Sequence, residues 1–125
     1  MRLLGPLLCC IWLTACTTHG VQNQKYTQVR SSLVVNDINN YGCAQPLISD
    51  IEYIIDTGVR VTETELHDHY STTGCSVSGT LLDNGLVKDF TFDFGGLIYI
   101  NDGTTIACGP SCCADPSFEY CTYEE

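Results

Sequence analysis

Cys75-Ser76-Val77-Ser78-Gly79-Thr80-Leu81-Leu82-Asp83-Asn84-Gly85-Leu86-Val87-Lys88-Asp89-Phe90-Thr91-Phe92-Asp93-Phe94 is the stretch that decides the fold. Two runs rich in β-branched and aromatic residues flank Asp83-Asn84-Gly85, a turn that demands positive φ angles. Phe90, Phe92 and Phe94 alternate with polar residues, so a strand here places three rings on one face, and that face is core. Beyond Gly95-Gly96, the run Leu97-Ile98-Tyr99-Ile100 meets Asn101-Asp102-Gly103 and returns as Thr104-Thr105-Ile106-Ala107-Cys108, a second hairpin continuous with the first. Residues 75 to 108 therefore read as an antiparallel meander.

Upstream, Thr27 to Val35 is rich in β-branched and hydroxyl residues and reads as one strand, broken by Asn36-Asp37-Ile38-Asn39-Asn40-Tyr41-Gly42. The segment Gln45 to Asp56 supports two readings. Leu47, Ile48, Ile51, Ile54 and Ile55 make a helical stripe behind a proline suited to a first turn, with Gly58 as the cap. The same isoleucines, with Asp56-Thr57-Gly58 and Val59-Arg60-Val61-Thr62, also describe a hairpin. The stripe tips the balance towards a short helix. The expected class is α+β and β-rich: a small antiparallel meander, one helix near residues 46 to 56, and a C-terminal tail pinned by disulfides.

The chain has 125 residues, 44% of them hydrophobic, which excludes a disordered or multidomain protein. Five Lys and Arg stand against fifteen Asp and Glu, a net charge of −10 that repels phosphate backbones and excludes a nucleic-acid partner.

Residues Met1 to Ala15 carry one charge at Arg2, an apolar run from Leu3 to Leu13 interrupted by Pro6, and small residues before Cys16. That run is too short to span a bilayer, which takes about 20 apolar residues, and reads as a removable export signal. Leu13-Thr14-Ala15-Cys16 resembles the lipobox of bacterial lipoproteins. The resemblance implies cleavage before Cys16, lipid on its sulfur and an acyl chain such as palmitate on its amine. It also implies residence in the bacterial envelope, with Thr17 favouring the outer over the inner membrane. Residues 16 to 26, polar and without periodicity, form the expected tether, and residues 27 to 125 a single domain. After cleavage, four basic residues remain against fifteen acids, a formal charge of −11.

Setting aside Cys9, Cys10 and Cys16 leaves Cys43, Cys75, Cys108, Cys112, Cys113 and Cys121. An even set of thiols in an exported chain reads as three disulfides, with 15 possible connectivities. Adjacent Cys112 and Cys113 should bond different partners. A metal site built from tail thiolates with His67 or His69 competes poorly, because C-x3-C-C is not the knuckle spacing of zinc sites.

Other chemistry is thinly represented. Ile54-Ile55-Asp56-Thr57-Gly58 resembles the DTG signature of aspartic proteases, which would make Asp56 one of two carboxylates activating water. Val59 departs from the Ala or Ser that follows DTG in that family. His67 and His69 would share a face if their segment were extended, enough to suggest a metal but without a third ligand. Asp83-Asn84-Gly85 and Asn101-Asp102-Gly103 read as turns rather than calcium loops. No catalytic residue, cofactor or metal is therefore expected. The leading expectation is a lipid-anchored, non-enzymatic binding or structural module. Its alternatives are an acidic inhibitor or immunity lipoprotein against a basic hydrolase or toxin, whose approach the charge would steer, and a hydrolase using Asp56.

Overall fold

The computed structural model describes residues 26–30 and 32–125. The expected leader, Cys16 as the expected lipidation site, Thr17 and the expected tether as far as Lys25 lie outside the described residues. Tyr26, at the tether's expected end, already belongs to the sheet.

The meander forms as the sequence indicates. Strands β4 (Ser76–Asp83) and β5 (Leu86–Asp93) pair over eight residues from Ser76↔Asp93 to Asp83↔Leu86. Their turn places Asn84 at φ 48° and Gly85 at φ 86°, the two positive angles whose twist matches the flanking strands. Strand β6 (Leu97–Ile100) pairs with β5, and β7 (Thr105–Ala107) pairs with β6. Register puts Val77, Phe92, Ile98 and Ile106 in one row across four strands, each 5% exposed or less. A neighbouring row joins Gly79, Phe90 and Ile100. These rows line the concave side of the sheet.

The segment read as a single strand from Thr27 to Val35 is two short strands, β1 (Tyr26–Thr27) and β2 (Val34–Asn36), both on the free edge of β4. Thr27 pairs with Leu82 and Val34 with Ser78, so seven steps on one side pass four on the other. Three extra residues loop out between them, and Gln28, at φ 49°, begins the excursion. β-Propensity alone carries no signal for such a register change.

Helix α1 (Ile48–Thr57) decides the helix-or-hairpin question for the helix. The isoleucine stripe forms the helix and buries Ile51 and Ile54 completely, while Val59–Arg60 turns back as β3 and pairs with β7. The start falls two residues after Pro46: Leu47 is the N-cap, and its amide donates to Asp50 Oδ2 at 3.0 Å. Gly58 closes the helix by donating its amide to the Ile54 carbonyl at 2.7 Å. Its backbone is extended, so the glycine is required by space: a Cβ would run into the carbonyls of Ile54 and Ala107.

The sheet order is β1-β4-β5-β6-β7-β3, antiparallel throughout, with β2 also on β4. It curls into a half-barrel whose two edge strands are unpaired with each other and approach through side chains. Arg60 of β3 sits 5.7 Å over the ring of Tyr26 in β1, and α1 packs against β1 and β7 across the opening.

Two further helices complete the fold. α2 (Glu63–His69) overturns the extended or loop reading of His67-Asp68-His69. Thr62 caps it by accepting the Glu65 amide at 3.2 Å, with Glu63 and Glu65 in the first turn and the two histidines in the last, a charge order that suits the helix dipole. α3 (Pro110–Cys113) is one turn with proline at its first position.

Candidate functional site

The disulfides are Cys43–Cys75, Cys108–Cys112 and Cys113–Cys121, so the adjacent cysteines do take different partners. The expected role of the two tail bridges needs correction. They span 4 and 8 residues, fold the tail upon itself, and do not tie it to a distant part of the domain. What pins the tail is aromatic packing and hydrogen bonding. Phe118 meets Tyr53 of α1 at 4.6 Å between ring centroids, and Tyr120 meets Phe92 edge-on at 5.2 Å and Phe94 at 5.6 Å. Further along, Thr122 Oγ1 donates to the Gly95 carbonyl at 2.7 Å, and the Glu124 amide donates to the His69 carbonyl at 2.9 Å. Each alternate tail residue thus finds a partner, and this strand-like spacing of Phe118, Tyr120 and Thr122 closes the open side of the half-barrel.

The sulfurs of Cys108, Cys113 and Cys121 lie within 4.8 Å of one another, a clustering that ligates metals when the cysteines are thiolates. All three are consumed in disulfides here. His67 and His69 do not converge with them: two residues apart on a helix, they point to nearly opposite faces. His67 contacts Asp68, and His69 Nδ1 lies 2.8 Å from the Glu124 carbonyl.

Asp56, Thr57 and Gly58 are the last turn and cap of α1, with Thr57 Oγ1 donating to the Tyr53 carbonyl at 2.7 Å. Asp56 lines a small pocket of about 140 Å³ together with Glu52 and Tyr26. The Asn101-Asp102-Gly103 turn is more than a turn. Asp102 accepts from the Tyr26 hydroxyl at 2.6 Å and from Lys88 Nζ at 3.1 Å, and Lys88 also pairs with buried Asp83. The Tyr26 hydroxyl, followed by Thr104 and Lys88, holds the Asp102 carboxyl far below the usual carboxylate range. These residues form a clasp between the first strand and the β6–β7 turn, at the hairpin-tip end of the sheet.

The opposite end of the strands carries an open hollow of about 350 Å³. One wall is the loop from Tyr41 to Ala44, another is Thr73 and Cys75, and the floor is Phe94 and Tyr120 with Glu119 at the edge. The loop is organised by a single carboxylate: Asp37 accepts the amides of Tyr41 at 2.7 Å, Gly42 at 2.9 Å and Cys43 at 3.0 Å. Those amides, the Cys43 bond foremost, lower the Asp37 pKa and keep it ionised. The Cys43–Cys75 disulfide then fixes the loop to the start of β4. Tyr41 stands 65% exposed above the hollow, with Ile38 and Leu47 also exposed in the same stretch of chain. At the floor, burial, reinforced by the charges of Glu119 and Asp50, pushes the Tyr120 hydroxyl up to about 12.

Sequence reading assigned Asn36 to Gly42 only as a breaker and missed the site. The available signal was an aspartate followed four to six residues later by Tyr41, Gly42 and a cysteine, the pattern of a carboxylate-centred loop. Comparison with known protein families, curated proteins and solved structures finds no match to this chain.

Proposed function

We propose that the protein is a non-enzymatic binding module of the bacterial envelope, anchored by lipid on Cys16, which captures its ligand in the hollow between the Asp37 loop and the C-terminal tail. The supporting observation is the hollow's construction. Its walls are locked before any ligand arrives, by a disulfide and a three-amide carboxylate nest, while three large apolar side chains of the same loop and helix start stay exposed. Exposed apolar groups beside a rigid concavity are characteristic of an interaction site, and a preformed site spares the ordering cost of binding.

The carboxyl pKa values of Asp37, Asp102 and Asp115 are all lowered, each by hydrogen bonds that serve a loop, the clasp or a turn. A second reading, an acidic inhibitor or immunity lipoprotein, is favoured by the placement of Glu119 at the edge of the hollow in a chain of net charge −10.

Intact mass of the membrane-extracted protein under non-reducing conditions tests the anchor. The expected mass is Cys16 to Glu125 plus acyl chains, less the six hydrogens of three disulfides, and a Cys16→Ala variant should leave the membrane fraction. A wild-type mass without lipid, or an unchanged distribution of the variant, overturns the proposal.

A further inference from the structure

We infer that the hollow is a receptor for a lysine or arginine side chain presented by a basic protein partner. This deepens the binding reading and rests on it. Three observations carry the inference. First, the hollow offers aromatic faces and edges: Tyr41 is 65% exposed at its mouth, and Phe94 and Tyr120 lie at its floor with their rings 5.6 Å apart. Aromatic faces attract cations, and the long methylene stem of lysine or arginine packs on such apolar walls while its charged head reaches solvent or a carboxylate.

Second, a carboxylate stands where that head would arrive. Glu119 is exposed and lines the hollow, no lysine or arginine among the described residues lines it, and the field of Asp50 also reaches the Tyr120 hydroxyl. Third, the whole chain carries −10, so a basic partner is drawn in and a second copy of this chain is repelled. An uncharged apolar peptide would gain the walls but nothing from Glu119.

The test is amide chemical-shift mapping of the full-length protein, ¹⁵N-labelled with disulfides intact, titrated with decaarginine at low salt and at about 0.15 M salt. Shifts are expected at Tyr41, Gly42, Thr73, Phe94, Glu119 and Tyr120. Glu119→Gln and Tyr41→Ala should each weaken binding about fivefold, whereas Asp68→Asn, an exposed acid on α2, should change it less than about twofold. Both site residues are exposed, and unchanged β4–β5 hairpin shifts verify that each variant is folded. The inference is overturned by any of four results: no shifts at the hollow, shifts spread over the acidic surface, equal weakening by Asp68→Asn, or equal binding of an uncharged leucine-serine decapeptide. None of these would alter the mass or fractionation of the anchored protein, so failure here is distinguishable from failure of the envelope assignment.

Discussion

Asp102 shows how much a single turn residue can hold. It joins the hydroxyl of Tyr26, the ammonium of Lys88 and the backbone of its own turn, whose Thr104 amide donates to Oδ1 at 2.9 Å. Because its folded pKa is depressed, its contribution is present above the unfolded value near pH 4 and is lost as pH falls through the folded value. Asp102→Asn should therefore lower the urea stability at pH 7 by about 1 kcal/mol, solvent screening included, with the difference shrinking below about pH 4. Parallel pH profiles for the two proteins would contradict this. Sequence reading recognised residues 101 to 103 as a turn, since Gly103 advertises it, but nothing local announces a partner 76 residues away. Gly58 was legible as the helix cap, which it is, but its second cause was not: two carbonyls, one of them from Ala107, leave no room for a side chain.

The elements divide by how local their causes are. The β4–β5 hairpin was readable because its turn chemistry and its alternation agree over eight consecutive pairs. The split of β1 from β2 was not, since its cause is the register of β4 and not the β-propensity of residues 27 to 35. Helix α2 carries a legible signal that the histidine pair obscures: Thr62 followed three residues later by Glu65 is a capping signature. α2 buries none of its residues, so its own cap matters more to it than to the domain. Thr62→Ala should raise the hydrogen-exchange rates of the Glu65 and Leu66 amides, by about fivefold for a cap worth about 1 kcal/mol. The global urea midpoint should move little, and a large shift would show that α2 is coupled to the core.

At the scale of the molecule, the three disulfides are unequal. Cys43–Cys75 spans 32 residues and Cys113–Cys121 spans 8. In the chain-entropy account, opening the longer loop costs about 3.7 kcal/mol and the shorter about 2.5 kcal/mol. Paired Cys→Ala substitutions should reproduce that order in urea unfolding, and the reverse order would mean that native packing of the tail outweighs loop entropy. Loss of Cys43–Cys75 should also free the Tyr41 loop, while the tail variant leaves it fixed. The number of bridges followed from counting cysteines, and the separate partners of Cys112 and Cys113 from geometry. The remaining pairings depend on where α1 and the meander bring the chain, which no spacing rule encodes.

The clasp at Tyr26 has a directional consequence. It fastens the first strand at the hairpin-tip end, whereas the hollow opens at the other end of β4, an eight-residue strand about 23 Å long. Nine residues lie between Cys16 and Tyr26, ten chain steps, a leash of at most about 36 Å. Under the proposed anchoring, the leash would enter the domain at the clasped end, opposite the hollow. Because it is longer than the strand, it would leave the hollow free to meet even bulky partners away from the headgroups.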